Sequence, residues 1–101
     1  MPFRHIVLLT IADDAPAGRA EEIATALRAL PGEIPELRSY VVGLDLGLNA
    51  ANSTIAVVAD TDDQAGWEAY RDHPAHRAVI DELITPVLVG RAAVQHRIHP
   101  V

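Results

Sequence analysis

Short β-branched runs alternate along the chain with longer stretches that repeat at helical spacing. His5 to Ile11 (HIVLLTI) is short and closed by Asp13-Asp14, which predicts a strand. His5, Val7, Leu9 and Ile11 fall on one face and Ile6, Leu8 and Thr10 on the other, and both faces are mostly apolar. Asp13-Asp14-Ala15-Pro16 predicts a helix start, with an Asp as cap and Pro16 where a missing N–H costs nothing. Ala20, Ile23, Leu27 and Leu30 then recur on one helical face, Arg19, Glu22 and Arg28 take the wet side, and Pro31-Gly32 ends the element. A second strand is predicted over 35–47, where Tyr40, Val42, Leu44 and Leu46 alternate with Ser39, Val41, Gly43 and Asp45. Gly43 inside it marks a bulge or a close approach by another chain. Thr54 to Asp60 predicts a third strand.

Thr61-Asp62-Asp63-Gln64 has the form of a capping box, with Gln64 reaching back to Thr61. The helix it opens carries Trp67 and Tyr70 and meets His73-Pro74, where it must kink or restart. The next segment places His76, Val79, Ile80, Leu83 and Ile84 on one face and ends at Thr85-Pro86. Gly90 to His99 predicts the last strand, with Ala92, Val94, His96 and Ile98 facing in and Arg91, Gln95 and Arg97 facing out.

The order β-α-β-β-α-β predicts an α+β, ferredoxin-like fold with both helices on one face of a four-stranded antiparallel sheet. Three of the strands are apolar on both faces, so the uncovered side would show water several hundred Å² of Val and Leu, which soluble monomers avoid. A second copy packed sheet to sheet, roughly 10 Å away, is the simplest cover, and a homodimer is expected.

Composition adds limits. The 101 residues are half hydrophobic but only 4% aromatic, which suits one domain (1–101) with an aliphatic core. Fourteen acidic against eight basic residues, all Arg, give a net charge of −6. Nucleic-acid and anionic-membrane partners are therefore not expected. There is no cysteine, hence no disulfide or thiolate chemistry. The apolar run at the start is too short for a signal peptide or a span, so a cytoplasmic location is expected. There is no Gly-rich phosphate loop and no Ser-His-Asp spacing.

Three segments resemble a known family. Phe3-Arg4-His5-Ile6-Val7-Leu8-Leu9 is similar to its opening "RHIVLF". Ile34-Pro35-Glu36-Leu37-Arg38-Ser39-Tyr40-Val41-Val42-Gly43 is similar to its second-strand pattern. Tyr70-Arg71-Asp72-His73-Pro74-Ala75-His76 matches its Y-x-x-HPxH motif. On these grounds, over nearly the whole chain, the sequence resembles the stress-responsive dimeric α/β-barrel (Dabb) family. The resemblance implies a homodimer whose sheets form a barrel with a ligand-sized cavity. One plant branch of the family consists of polyketide cyclases that carry out an intramolecular aldol condensation without a cofactor. There the second His of HPxH is the base and the Tyr six residues earlier is the acid or oxyanion partner, roles that map onto His76 and Tyr70. His5 would lie near the same pocket. That branch has a His early in its third strand, where this chain has Thr54.

Two readings stand for each candidate. His76, on the apolar stripe, is a general base for a proton α to a carbonyl, or a core His that holds the kink. Tyr70 is its acid partner or an aromatic anchor, and in an unbroken helix it would point about 240° away from the His76 direction. Trp67 is cavity wall or core. His73 lines the pocket or caps the second segment. His5 is a polar group at the cavity mouth or a strand-end residue. His73 and His76 supply at most two metal ligands, short of what zinc requires, so neither metal nor cofactor is expected. Runner-up functions are a non-enzymatic stress dimer and a barrel monooxygenase. A void of about 300 Å³ or more would favour a ligand site over a filled barrel.

Overall fold

A computed structural model describes residues 2–99. The elements are β1 (Phe3–Ile11), α1 (Arg19–Arg28), β2 (Ser39–Leu44), β3 (Ile55–Thr61), α2 (Gln64–Asp72), α3 (Pro74–Val79) and β4 (Leu88–Arg97). A π-helical turn (Ile80–Ile84) and a 3-10 turn (Thr85–Val87) join α3 to β4. The strands form one antiparallel sheet in the order β2-β3-β1-β4, and the fold is ferredoxin-like α+β.

Antiparallel partners share a face, so the register sorts the side chains into cross-sheet rows. On the helix side the rows are Tyr40–Ala59–His5–Gln95, Val42–Val57–Val7–Ala93 and Leu44–Ile55–Leu9–Arg91. Ile23, Ala24 and Leu27 of α1 and Leu30 and Ile34 after it close the core against them. On the open side the rows are Ser39–Asp60–Arg4–His96, Val41–Val58–Ile6–Val94 and Gly43–Ala56–Leu8–Ala92. No helix of this chain covers these last rows, and Leu8, Val41 and Val94 are 39%, 59% and 52% exposed. Arg4 and Asp60 cross that face as a bidentate ion pair at 2.8 and 2.9 Å.

Several local expectations change. α1 starts at Arg19, and neither Asp13 nor Asp14 caps it. A turn closed by Arg19 N–H donating to the Pro16 carbonyl places Gly18 at the N-cap with φ of 81°, a left-handed conformation that glycine adopts without strain. The capping box is replaced as well. Thr61 is a buried strand residue paired with Phe3, so it cannot leave the sheet to cap α2. Asp63 is the cap, its Oδ1 accepting from Gly66 N–H at 2.8 Å, while Gln64 donates forward to Glu68 at 3.4 Å. Gly66 eases the close packing there, since a Cβ at this position would stand 3.0 Å from Thr61 Cβ.

β2 stops at Leu44 because Asp45 turns the chain, accepting from Gly47 N–H and from the Asn52 amide at 3.0 Å each. Leu46 consequently lies beyond the strand and is 84% exposed. Gly43 sits in an unbroken register and marks no bulge. The irregularity lies between Thr10 and Ile11 against β4. The facing of β4 is the reverse of the expectation: Arg91 and Gln95 lie on the helix side and Ala92, Val94 and His96 on the open side. Small apolar residues normally mark the core side, but here the core side ends in a polar-lined chamber and the open side is the apolar one.

Candidate functional site

The site grows from the break at His73-Pro74. Pro74 has no N–H, and His73 before it is extended, with φ −62° and ψ 135°. In a continuous helix Ala75 N–H would bond the Arg71 carbonyl. Here it turns to His73 Nδ1 at 3.1 Å, so His73 caps α3 and lines neither space described below. The Arg71 carbonyl is left open and meets His76 Nδ1 at 3.0 Å. A carbonyl only accepts, so Nδ1 carries the hydrogen and the lone pair of neutral His76 is on Nε2. Burial pushes the His76 pKa below its ordinary value, against the opposing pull of the Arg71 and Tyr70 carbonyls.

The same break re-aims Tyr70. Its ring stacks on His76 with centroids 4.2 Å apart, a pairing that unbroken helical spacing forbids. The Tyr70 hydroxyl lies 2.9 Å from that of Tyr40, which β2 supplies from the row of His5. Burial raises Tyr70 to about 12, with its Tyr40 hydrogen bond working the other way, and raises Tyr40 further still.

His5 is buried on the helix side of β1. Its Nδ1 accepts from the Gln95 amide at 2.8 Å, which leaves its hydrogen on Nε2. Burial first, then the Arg91 charge and the neighbouring imidazole of His76, push its pKa down to about 4, so it is neutral at pH 7. Trp67 packs on Phe3 and His5 at centroid distances of 5.6 and 5.7 Å, and the Arg71 guanidinium lies 5.1 Å from its ring centre.

These groups enclose a chamber between sheet and helices. The inner part, of about 110 Å³, has apolar walls that include Val7, Leu27, Val57 and Ile84. The outer part, of about 310 Å³, is bounded by Trp67, Arg71 and Arg77. His5, Tyr70, His76, Ile80 and Arg91 line both. A shallower cleft of about 320 Å³ near the β2–β3 connection has Asp45 as its one titratable group, already bonded to Gly47 and Asn52. Thr54 borders that cleft, its hydroxyl accepting from Ile11 N–H at 2.9 Å.

Of the residues singled out in the sequence, His5, Trp67, Tyr70 and His76 come together and His73 serves the backbone. Tyr40, Gln95 and Arg91 were not expected here. Their signal is parity: each falls on the face of His5 once the strands are paired in register.

Comparison with known proteins agrees with the ferredoxin-like fold. A dimeric ferredoxin-like protein of unknown function from Thermobifida fusca is 47% identical over 97% of this chain and 92% of its own, with a TM-score of 0.87. A dimeric protein of unknown function from Bacteroides fragilis is 27% identical over 96% of each chain, with a TM-score of 0.84. The hydroxynitrile lyase of Passiflora edulis, 19% identical over 99% of this chain and 95% of its own, shares the fold at a TM-score of 0.82. No curated protein matches the sequence. The stress responsive A/B barrel model matches residues 3–96, and the chain belongs to that family.

Proposed function

We propose that the protein is a cytoplasmic, single-domain homodimer that binds a small, largely apolar organic molecule in the chamber and catalyses a cofactor-free proton transfer on it, such as an aldol cyclisation. The observation that carries this reading is the His76–Arg71 contact. It fixes the neutral tautomer with a free Nε2 lone pair, and burial keeps that nitrogen unprotonated near neutral pH. Tyr70 is the acid partner. Its hydroxyl lies 2.9 Å from that of Tyr40, and with Tyr40 as the donor of that bond the Tyr70 hydrogen is free for a carbonyl or enolate oxygen. His5, with its hydrogen on Nε2, supplies a neutral donor, and Trp67 forms the wall of the mouth.

The uncovered rows of Val, Leu, Ala and Ile support pairing of two copies sheet to sheet. Two related structures of the same fold are described as dimeric. Among the described residues no helix is long and apolar enough to cross a membrane.

The test is turnover of poly-β-keto thioesters by the wild type, His76→Ala and Tyr70→Phe. Loss of the base should lower the rate about 100-fold or more. Equal turnover and equal binding in all three proteins would sink the assignment. A second reading, a non-enzymatic stress dimer, is favoured by the small inner chamber: about 110 Å³ is under the usual ligand-site size, which only the outer part reaches. Failure of any probe to quench Trp67 fluorescence would support it.

A further inference from the structure

The chain has a net charge of −6, yet the outer chamber is lined by three of its eight arginines and by no Asp or Glu. Two of the three are committed. Arg71 is 2.9 Å from Asp72, and Arg77 is 3.5 Å from Asp81. Arg91 differs. It stands opposite Leu9 on the helix side of β4 and borders both parts of the chamber. Among the described residues it forms no ion pair. None of the chamber residues around this exposed guanidinium is an Asp or Glu, and the inner walls beside it are almost all aliphatic. A fixed positive charge at the entrance of an apolar space is the arrangement that holds an amphiphile with one anionic end.

We infer that Arg91 anchors a carboxylate on the ligand, whose apolar body reaches inward between Val7, Leu27 and Val57. The inference rests on the chamber being a ligand site. Carboxylate matches the planar fork of a guanidinium, which can donate two parallel hydrogen bonds. The carboxylate end would then lie on the chamber wall that also carries His5 and His76.

The experiment compares para-butylbenzoate with its neutral counterpart para-butylbenzamide, read by fluorescence of Trp67, the single tryptophan of the chain. The wild type should bind the benzoate about tenfold more tightly than the benzamide, as a charge-assisted bond requires. Arg91→Gln should erase that preference, weakening benzoate binding about tenfold more than benzamide binding. Arg91→Lys should retain part of it, and added salt should weaken it. Equal binding of the two probes by the wild type, or a preference that survives in Arg91→Gln, overturns the anchor while the chamber stands as a ligand site. Binding of neither probe overturns the chamber reading and the anchor with it. Far-UV circular dichroism of each variant separates a lost anchor from a lost fold.

Discussion

His76 Nδ1 stands 3.0 Å from the carbonyl oxygen of Arg71, a carbonyl left open because Ala75 N–H is drawn off to His73. The proline between these residues thus sets the tautomer of a histidine two positions further on.

Pro74→Ala should undo this arrangement. With an N–H at position 74 and no steric bar against helical geometry at His73, α2 and α3 are free to join, and Arg71 regains its helical donor. Long-range ¹⁵N–¹H spectra of the histidine side chains should show His76 passing from a single Nδ1–H form to a mixture. An unchanged single tautomer would show that Pro74 is not its cause.

Stability should fall between about pH 6.5 and pH 4, largely above the range in which ordinary carboxylates titrate. His5 and His76 both have folded pKa values below their ordinary value of 6.5, His5 at about 4. The unfolded chain therefore binds more protons than the folded chain between these limits, and stability rises with pH there. It is fully present above about pH 6.5 and is lost as pH falls toward the folded value near 4. Urea midpoints measured across this window should drop more steeply for the wild type than for His5→Gln. Parallel slopes would contradict the buried neutral His5.

Tyr40→Phe should cost about 1 kcal/mol, the usual net value of one hydrogen bond, in thermal or urea unfolding. It also leaves Tyr70 as the single tyrosine, so tyrosinate absorbance reports that residue alone. The pKa of Tyr70, already about 12, should move up, because the Tyr40 hydroxyl works to lower it. A downward move would mean that Tyr70 is the donor of the pair.

Leu8→Glu should convert the proposed sheet-to-sheet dimer to a monomer in light scattering at micromolar concentration. Leu8 is in the middle of the open face, with Ala56 and Ala92 beside it, and a carboxylate buried there has no partner. Glu21→Lys, an exposed position on α1 across the sheet, is the control and should leave the mass unchanged. A dimeric Leu8→Glu protein would place the interface elsewhere.

Much of this was legible in the sequence. The order of elements along the chain, the helix faces and the break at Pro74 follow from local spacing and proline chemistry, as does the apolar excess on the second sheet face. The site was legible as far as one element carries it: His76, Tyr70 and Trp67 share a helical stretch. What the pattern misplaced depends on partners remote in sequence. Arg91 and Gln95 look like solvent residues until His5, Leu9 and the register of β4 set their parity. The Thr61 cap failed for the same reason, since pairing with Phe3 holds that residue in the sheet. The stack of Tyr70 on His76 could not be read from a helical wheel, because it exists only where the helix does not.

The two faces of β1 bear on how this chain can vary. His5, Val7 and Leu9 serve the chamber, and Arg4, Ile6 and Leu8 between them serve the open face. Two surfaces with different demands are thus written into one strand as alternate letters. Inserting or deleting a single residue in β1 would trade one text for the other, sending His5 out and Arg4 in. Ligand preference and assembly can drift by substitution, each on its own letters, but the length of this strand is common to both.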